Sequence, residues 1–183
     1  MFQQLTMKIE IRRIGKGKYV RANTARRLAV FFAEQLSRET PGVKWETISV
    51  VFVGDLQMRE LYKRYFGMND VSDVISFAYR PMPLSKGVQR DGEIIVNVER
   101  ALKLNDSRLQ KIDGWSSDKE LALYLAHGFD HLAGYDDSDS AGRRRMRARE
   151  LRWLRKASCL GMLAGLIRTT SAVHEKSLEN GGD

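Results

Sequence analysis

Apolar and polar positions follow two periods along this chain. Met7–Ile14, MKIEIRRI, alternates residue by residue, which predicts a strand with Met7, Ile9 and Ile11 facing a core. Thr47–Val53, TISVVFV, is a run of β-branched and aromatic residues and predicts a buried strand. Val74–Tyr79 and Gly92–Val98 predict two more. Elsewhere the period lengthens to that of a helix. Val20–Arg38 places Leu28, Phe31, Phe32, Gln35 and Leu36 near one face, and Leu56–Tyr65, Arg100–Leu109, Ser117–Ala133 and Ser140–Leu160 read as further helices. Gly15–Gly17, Pro41-Gly42, Gly67–Asp73 and Pro81–Arg90 interrupt the pattern. Strands interleaved with helices predict an α+β fold: a small four-stranded mixed β-sheet packed with about five to six α-helices, the helix from Ser117 at its centre. Residues 1–160 read as a single domain, and residues 161–183 as a C-terminal extension expected to be partly disordered.

The helix from Ser117 carries the candidate chemistry. Ser117-x-x-Glu120 predicts a capping box at its start. His127 and His131 follow at i and i+4, so both imidazoles share one face and can reach one point. Gly134 stands where a helix can stop in a left-handed turn, and Asp137 lies on the returning chain. The pattern His-x-x-x-His-x-x-Gly-x-x-Asp is similar to a zinc site with an open position, where the third ligand is usually histidine; two histidines and a carboxylate also form a catalytic zinc set. Asp136 and Asp139 are fallback oxygen donors. The bland alternative is a pair of surface or packed histidines. Gly128, not glutamate, directly follows His127, so the general base of a metalloprotease is missing. Asp130, at i+3 from His127, could bind metal, orient an imidazole, or stand solvated.

Composition changes the picture in two respects. The chain of 183 residues has a formal net charge of +8, which suits an anionic partner such as nucleic acid or an acidic surface. Eight basic residues line Ser140–Leu160, either as a solvated face or as phosphate contacts. Cys159 is the only cysteine, which excludes a disulfide framework and fits a reducing, cytoplasmic setting. The opening MFQQLTMKIEIRR has no signal-type apolar core, and the nine-residue run Cys159–Ile167 is too short to span a bilayer, so no membrane partner is expected.

His127-Gly128-Phe129-Asp130-His131-Leu132-Ala133-Gly134-Tyr135-Asp136-Asp137 resembles the hallmark H-G-x-L-H-L-x-G-Y-D-H of the YbeY family, with seven of its nine specified positions matched. Ser72–Phe77 is similar to that family's T-D-V-L-S-F, and Gly92-Glu93-Ile94 to its Gly-Asp-Ile strand. The resemblance implies a zinc-dependent, single-strand-specific endoribonuclease acting in 16S rRNA maturation and ribosome quality control. It implies one Zn2+ per chain held by His127, His131 and Asp137, with precursor rRNA and the small ribosomal subunit or its proteins as partners. On this reading Arg64, His127 and His131 are catalytic, and Lys63, Arg64, Lys86 and Arg90 contact RNA. Ser76 or Asp73 would support the site from a neighbouring strand, although Asp73 more often caps a turn. Two departures stand out: Asp137 replaces the family's third histidine, and Phe66 stands where the family has an arginine. A catalytically weakened RNA-binding member, and a zinc peptidase, are the alternatives.

Overall fold

The computed structural model describes residues 7–41, 44–79, 89–103 and 114–168. Its elements are β1 (Lys8–Arg13), a 3₁₀ turn (Gly15–Tyr19), α1 (Ala22–Glu39), β2 (Lys44–Val53), α2 (Asp55–Phe66), β3 (Val74–Tyr79), β4 (Gln89–Asn97), α3 (Val98–Lys103), α4 (Ser117–Leu132) and α5 (Ser140–Cys159). The sheet order is β1-β2-β4-β3; β1, β2 and β4 run parallel, and β3 is antiparallel to β4. This is the mixed α+β architecture expected. The helix read as Arg100–Leu109 is observed as Val98–Lys103, and its expected continuation lies outside the described residues.

The period-two alternation of β2 and β4 sorts their side chains between two faces. Ile48, Val50, Phe52, Ile94 and Val96 enter the large core with α1, α4 and α5, while Val51, Val53 and Ile95 face Met58, Leu61 and Tyr62 of α2. The central helix α4 is buried on nearly all sides, by Leu121, Ala122, Leu123, Leu125, Ala126, Phe129 and Leu132. Such a helix has no single apolar stripe, which is why its periodicity understates its burial. It lies close against the sheet at Gly128, where a Cβ would stand 2.4 Å from Ile94 Cγ2 and 3.0 Å from Val74 Cγ2.

Two expectations, about the start of α4 and the extent of the core, change. The N-cap of α4 is Ser116, not Ser117: its hydroxyl accepts from Lys119 N at 3.3 Å. Glu120 is buried and accepts from Trp115 Nε1 at 2.6 Å instead of closing a capping box. The core also continues past residue 160, because Leu163, Leu166 and Ile167 are buried within it. Asp118, in the first turn of α4, accepts backbone N–H groups from Gly165 at 2.8 Å and Ile167 at 2.7 Å.

Candidate metal centre

Both histidines project from the C-terminal half of α4, and the chain then turns back through Gly134, whose φ of 87° is left-handed as its sequence position predicts. His127 Nε2 and His131 Nε2 lie 3.1 Å apart. Asp137 completes a triangle, with Oδ2 at 3.7 Å from His127 Nε2 and Oδ1 at 4.0 Å from His131 Nε2. A tetrahedral ion with bonds of about 2.0–2.1 Å has donor–donor edges of about 3.3–3.4 Å, so the three side chains need shift by only about half an ångström to share one. They form the one group of histidine, cysteine and carboxylate side chains with this convergence among the described residues. Zinc's preference for nitrogen and oxygen donors fits the set.

The other nitrogen of each ring is committed. His127 Nδ1 donates to Glu150 Oε1 at 2.6 Å, and His131 Nδ1 donates to the carbonyl of Tyr135 at 3.1 Å. In the neutral rings these bonds select the Nδ1–H tautomers and leave both Nε2 lone pairs aimed at the shared point. Burial pulls the His127 imidazole towards its neutral form, but the hydrogen bond and charge of Glu150 outweigh this and raise its pKa above the ordinary value. Glu150 is 1% exposed, and its second oxygen has no hydrogen bond; Arg147 Nη1 lies 3.2 Å from it without hydrogen-bond alignment. Sequence reading missed Glu150. The available signal was its place on the inner stripe of α5, four residues after Met146 and four before Leu154, where a lone carboxylate is out of character.

Asp130 neither points at the ligands nor stands in solvent. It is fully buried and paired with Arg149 of α5. Burial pushes its carboxyl up to about 6, against the pull of Arg149. The fallback donors are engaged elsewhere: Asp139 caps α5 by accepting from Gly142 N at 2.6 Å, and Asp136 accepts from Ser138 N at 3.1 Å. Asp73 caps its own turn through Val74 N at 2.9 Å, and Ser76 Oγ donates to the Gly128 carbonyl at 3.1 Å, tying β3 to α4.

A cavity of about 700 Å³ opens beside His127 and Asp137. Tyr124, Arg143, Arg144 and Arg147 line it together with Asp73 and Glu150. Arg143 also donates to the backbone carbonyls of Asp137 at 2.8 Å and Ser138 at 3.0 Å, bracing the loop that carries Asp137.

The family model for Endoribonuclease YbeY matches residues 13–158. The chain belongs to the YbeY family. Among curated relatives, an Endoribonuclease YbeY from Thermodesulfovibrio yellowstonii is 40% identical over 99 residues, covering 53% of this chain and 58% of the relative. One from Desulfitobacterium hafniense is 36% identical over 110 residues, covering 56% and 66%. One from Moorella thermoacetica is 32% identical over 124 residues, covering 63% and 76%. The matches thus span between 58% and 76% of these YbeY proteins' lengths. The solution structure of TM1509 from Thermotoga maritima shares the fold, with a TM-score of 0.50 at 22% identity over 80% of this chain and 86% of that one.

Set against the residues expected from the YbeY resemblance, the structure brings His127, His131 and Asp137 together and leaves the α2 cations apart. Lys63 and Arg64 are exposed in the last turn of α2, which packs on the opposite face of the sheet from α4, and neither lines the cavity. Phe66 is likewise exposed there. Lys86 lies outside the described residues; Arg90 lies at the start of β4, and its side chain is outside the description.

Proposed function

We propose that this protein is a zinc-dependent endoribonuclease that cuts single-stranded RNA, acting on precursor 16S rRNA during maturation and quality control of the small ribosomal subunit in the cytoplasm. One observation supports the reading most. Two imidazoles, each with Nδ1 already donating, aim Nε2 at each other across 3.1 Å, with a carboxylate beside them. Three donors in that arrangement repel unless a cation lies among them, either a metal ion or a proton shared between the two Nε2 atoms. RNA as the substrate is supported by the activity in the relatives' names and by the arginines on the cavity rim. No helix among the described residues is long and apolar enough to cross a membrane.

Zinc held by His127, His131 and Asp137 would supply hydroxide near neutral pH and polarise a phosphoryl oxygen. The carboxylate ligand adds negative charge, so the acidifying effect on water is weaker than in a three-histidine set. The chain's own residues do the rest. Glu150 and the Tyr135 carbonyl keep the two rings oriented. Arg143, Arg144 and Arg147 hold RNA phosphates along the cavity and offset the charge that develops at the scissile one. Lys63 and Arg64 serve as outer contacts. Peptide hydrolysis is disfavoured because the position after His127 faces the sheet and has no room for a base.

The departures at Asp137 and Phe66 favour a second reading, an RNA-binding member without cleavage. Metal analysis of the purified protein together with a single-stranded RNA cleavage assay separates the two. Stoichiometric zinc and cleavage, both lost in His131→Ala, support the enzyme. RNA binding with neither metal nor cleavage supports the second reading and ends the first.

A further inference from the structure

The Asp130–Arg149 pair is used by no step of the reaction, yet it sits directly behind the ligands. Arg149 meets the fully buried carboxylate with its fork, Nε to Oδ1 at 2.5 Å and Nη2 to Oδ2 at 3.1 Å. A buried ion pair is costly to desolvate, and apolar side chains of similar volume commonly stabilise a core as well or better. Core stability alone is therefore a poor account of it. Its remaining contacts supply a better one. The guanidinium carbon of Arg149 lies 3.4 Å from the centre of the Tyr135 ring, a stacked cation–π geometry. The backbone carbonyl of Asp130 accepts the Tyr135 N–H at 3.3 Å, and the Tyr135 hydroxyl donates to Glu39 of α1 at 3.3 Å.

Tyr135 is thus held at its amide, its ring face and its hydroxyl. It is also the residue on which two ligands depend. Its carbonyl fixes the His131 ring, and Asp137 follows two residues later. No side chain packs on the apex, where nothing lies within 4 Å of a Cβ built on Gly134, and the loop is braced further on by Arg143 at the Asp137 and Ser138 carbonyls. Arg149 moreover neighbours Glu150, so adjacent residues of α5 reach His127 directly and His131 through Tyr135.

On the metal-centre reading above, we propose that Asp130 and Arg149 are positioning residues: they clamp Tyr135 so that the short Asp137 carboxylate reaches an ion shared with His127 and His131. A histidine at this position would reach further and would not depend on the clamp. Two of the chain's departures from the family hallmark, at positions 130 and 137, are then one coupled change, with the shorter ligand held in by a buried charge pair.

The test replaces both charges together, Asp130→Leu with Arg149→Leu, which orphans neither. The protein stripped of metal is titrated with Zn2+ and Co2+, and amide exchange is followed at residues 135–138. Metal affinity is expected to fall about 10–100-fold, the usual loss when groups that orient ligands are removed. The turn amides are expected to exchange faster while those of α4 keep their protection. In an Asp137→His background the same double change is expected to cost less, because only the His131 contact then depends on Tyr135, so the two changes are non-additive. Arg149→Lys keeps the charge but loses the fork and the flat stack, and is expected to weaken metal binding in the same direction. Equal losses with and without Asp137→His overturn the clamp, because they indicate general destabilisation. Unchanged turn exchange or unchanged affinity overturns it as well, and leaves the metal centre standing. An unaltered protein that binds neither ion overturns the metal centre and the clamp with it.

Discussion

On one face of the sheet, Ile48, Val50, Phe52 and Ile94 meet α1, α4 and α5 in a core that leaves Phe32, Phe129 and Trp153 at most 1% exposed. On the other, Val51, Val53, Ile75 and Ile95 meet α2, whose Leu56, Tyr65 and Phe66 stand about half or more in solvent. The candidate metal ligands grow from the first face and the expected α2 arginine from the second. The contrast teaches where ligands can be placed accurately in a small domain. Side chains that must meet within a fraction of an ångström sit where packing holds the backbone from several sides. Cations that only need to be near a polyanion can stand on a lightly held helix.

The largest effect that sharpens this contrast is on stability. Phe129→Ala is expected to cost about 3–5 kcal/mol in urea unfolding, as for other buried aromatic truncations, and Phe66→Ala less than about 0.5 kcal/mol. Comparable losses at the two sites would break the contrast. An intermediate effect concerns substrate. Arg144→Gln together with Arg147→Gln is expected to flatten the dependence of log K on log salt for single-stranded RNA, by about 0.7 for each phosphate no longer neutralised. Arg64→Gln is expected to change that slope less. The opposite ranking would return the substrate path to α2.

The smallest effect is a pH dependence on the α2 face. Burial raises the pKa of Asp55, but hydrogen bonds from Lys103 at 2.5 Å and Asn97 at 2.8 Å outweigh it and hold the carboxyl below its ordinary range. Its folded pKa is thus lower than its unfolded one, so the stabilisation is present above the unfolded value of about 3.9 and is lost as pH falls through the folded value. Unfolding of Asp55→Asn, compared with the unaltered protein at about pH 5 and pH 3, should show the smaller acid loss in the variant. Identical losses would remove Asp55 from the account of acid sensitivity.

What was legible in the sequence was local. The i,i+4 histidines, the glycine turn and the third oxygen donor lie within eleven consecutive residues, so helix geometry places the histidines and one left-handed turn brings Asp137 back towards them. Strand alternation likewise points to the sheet. What escaped reading depends on partners far along the chain. Glu150 is 23 residues from His127, and Arg149 is 19 from Asp130, so neither partner is fixed by spacing. Arg64 does stand on a helix as its surroundings predict, but periodicity does not say which face of a sheet a helix covers. Ser116 and Ser117 are adjacent equivalents, and the choice between them turned on Glu120 taking the Trp115 indole.

The stretch Leu163–Ile167 bears on the order in which the domain is completed during synthesis. Asp118 anchors the opening turn of α4 to the amides of Gly165 and Ile167, and Arg21 N donates to the Leu166 carbonyl at 2.9 Å. A nascent chain halted after α5 already carries both histidines, Asp137 and Glu150, yet lacks this latch and three apolar residues of the core. Residues made after α5 therefore secure the opening of a helix made tens of residues earlier.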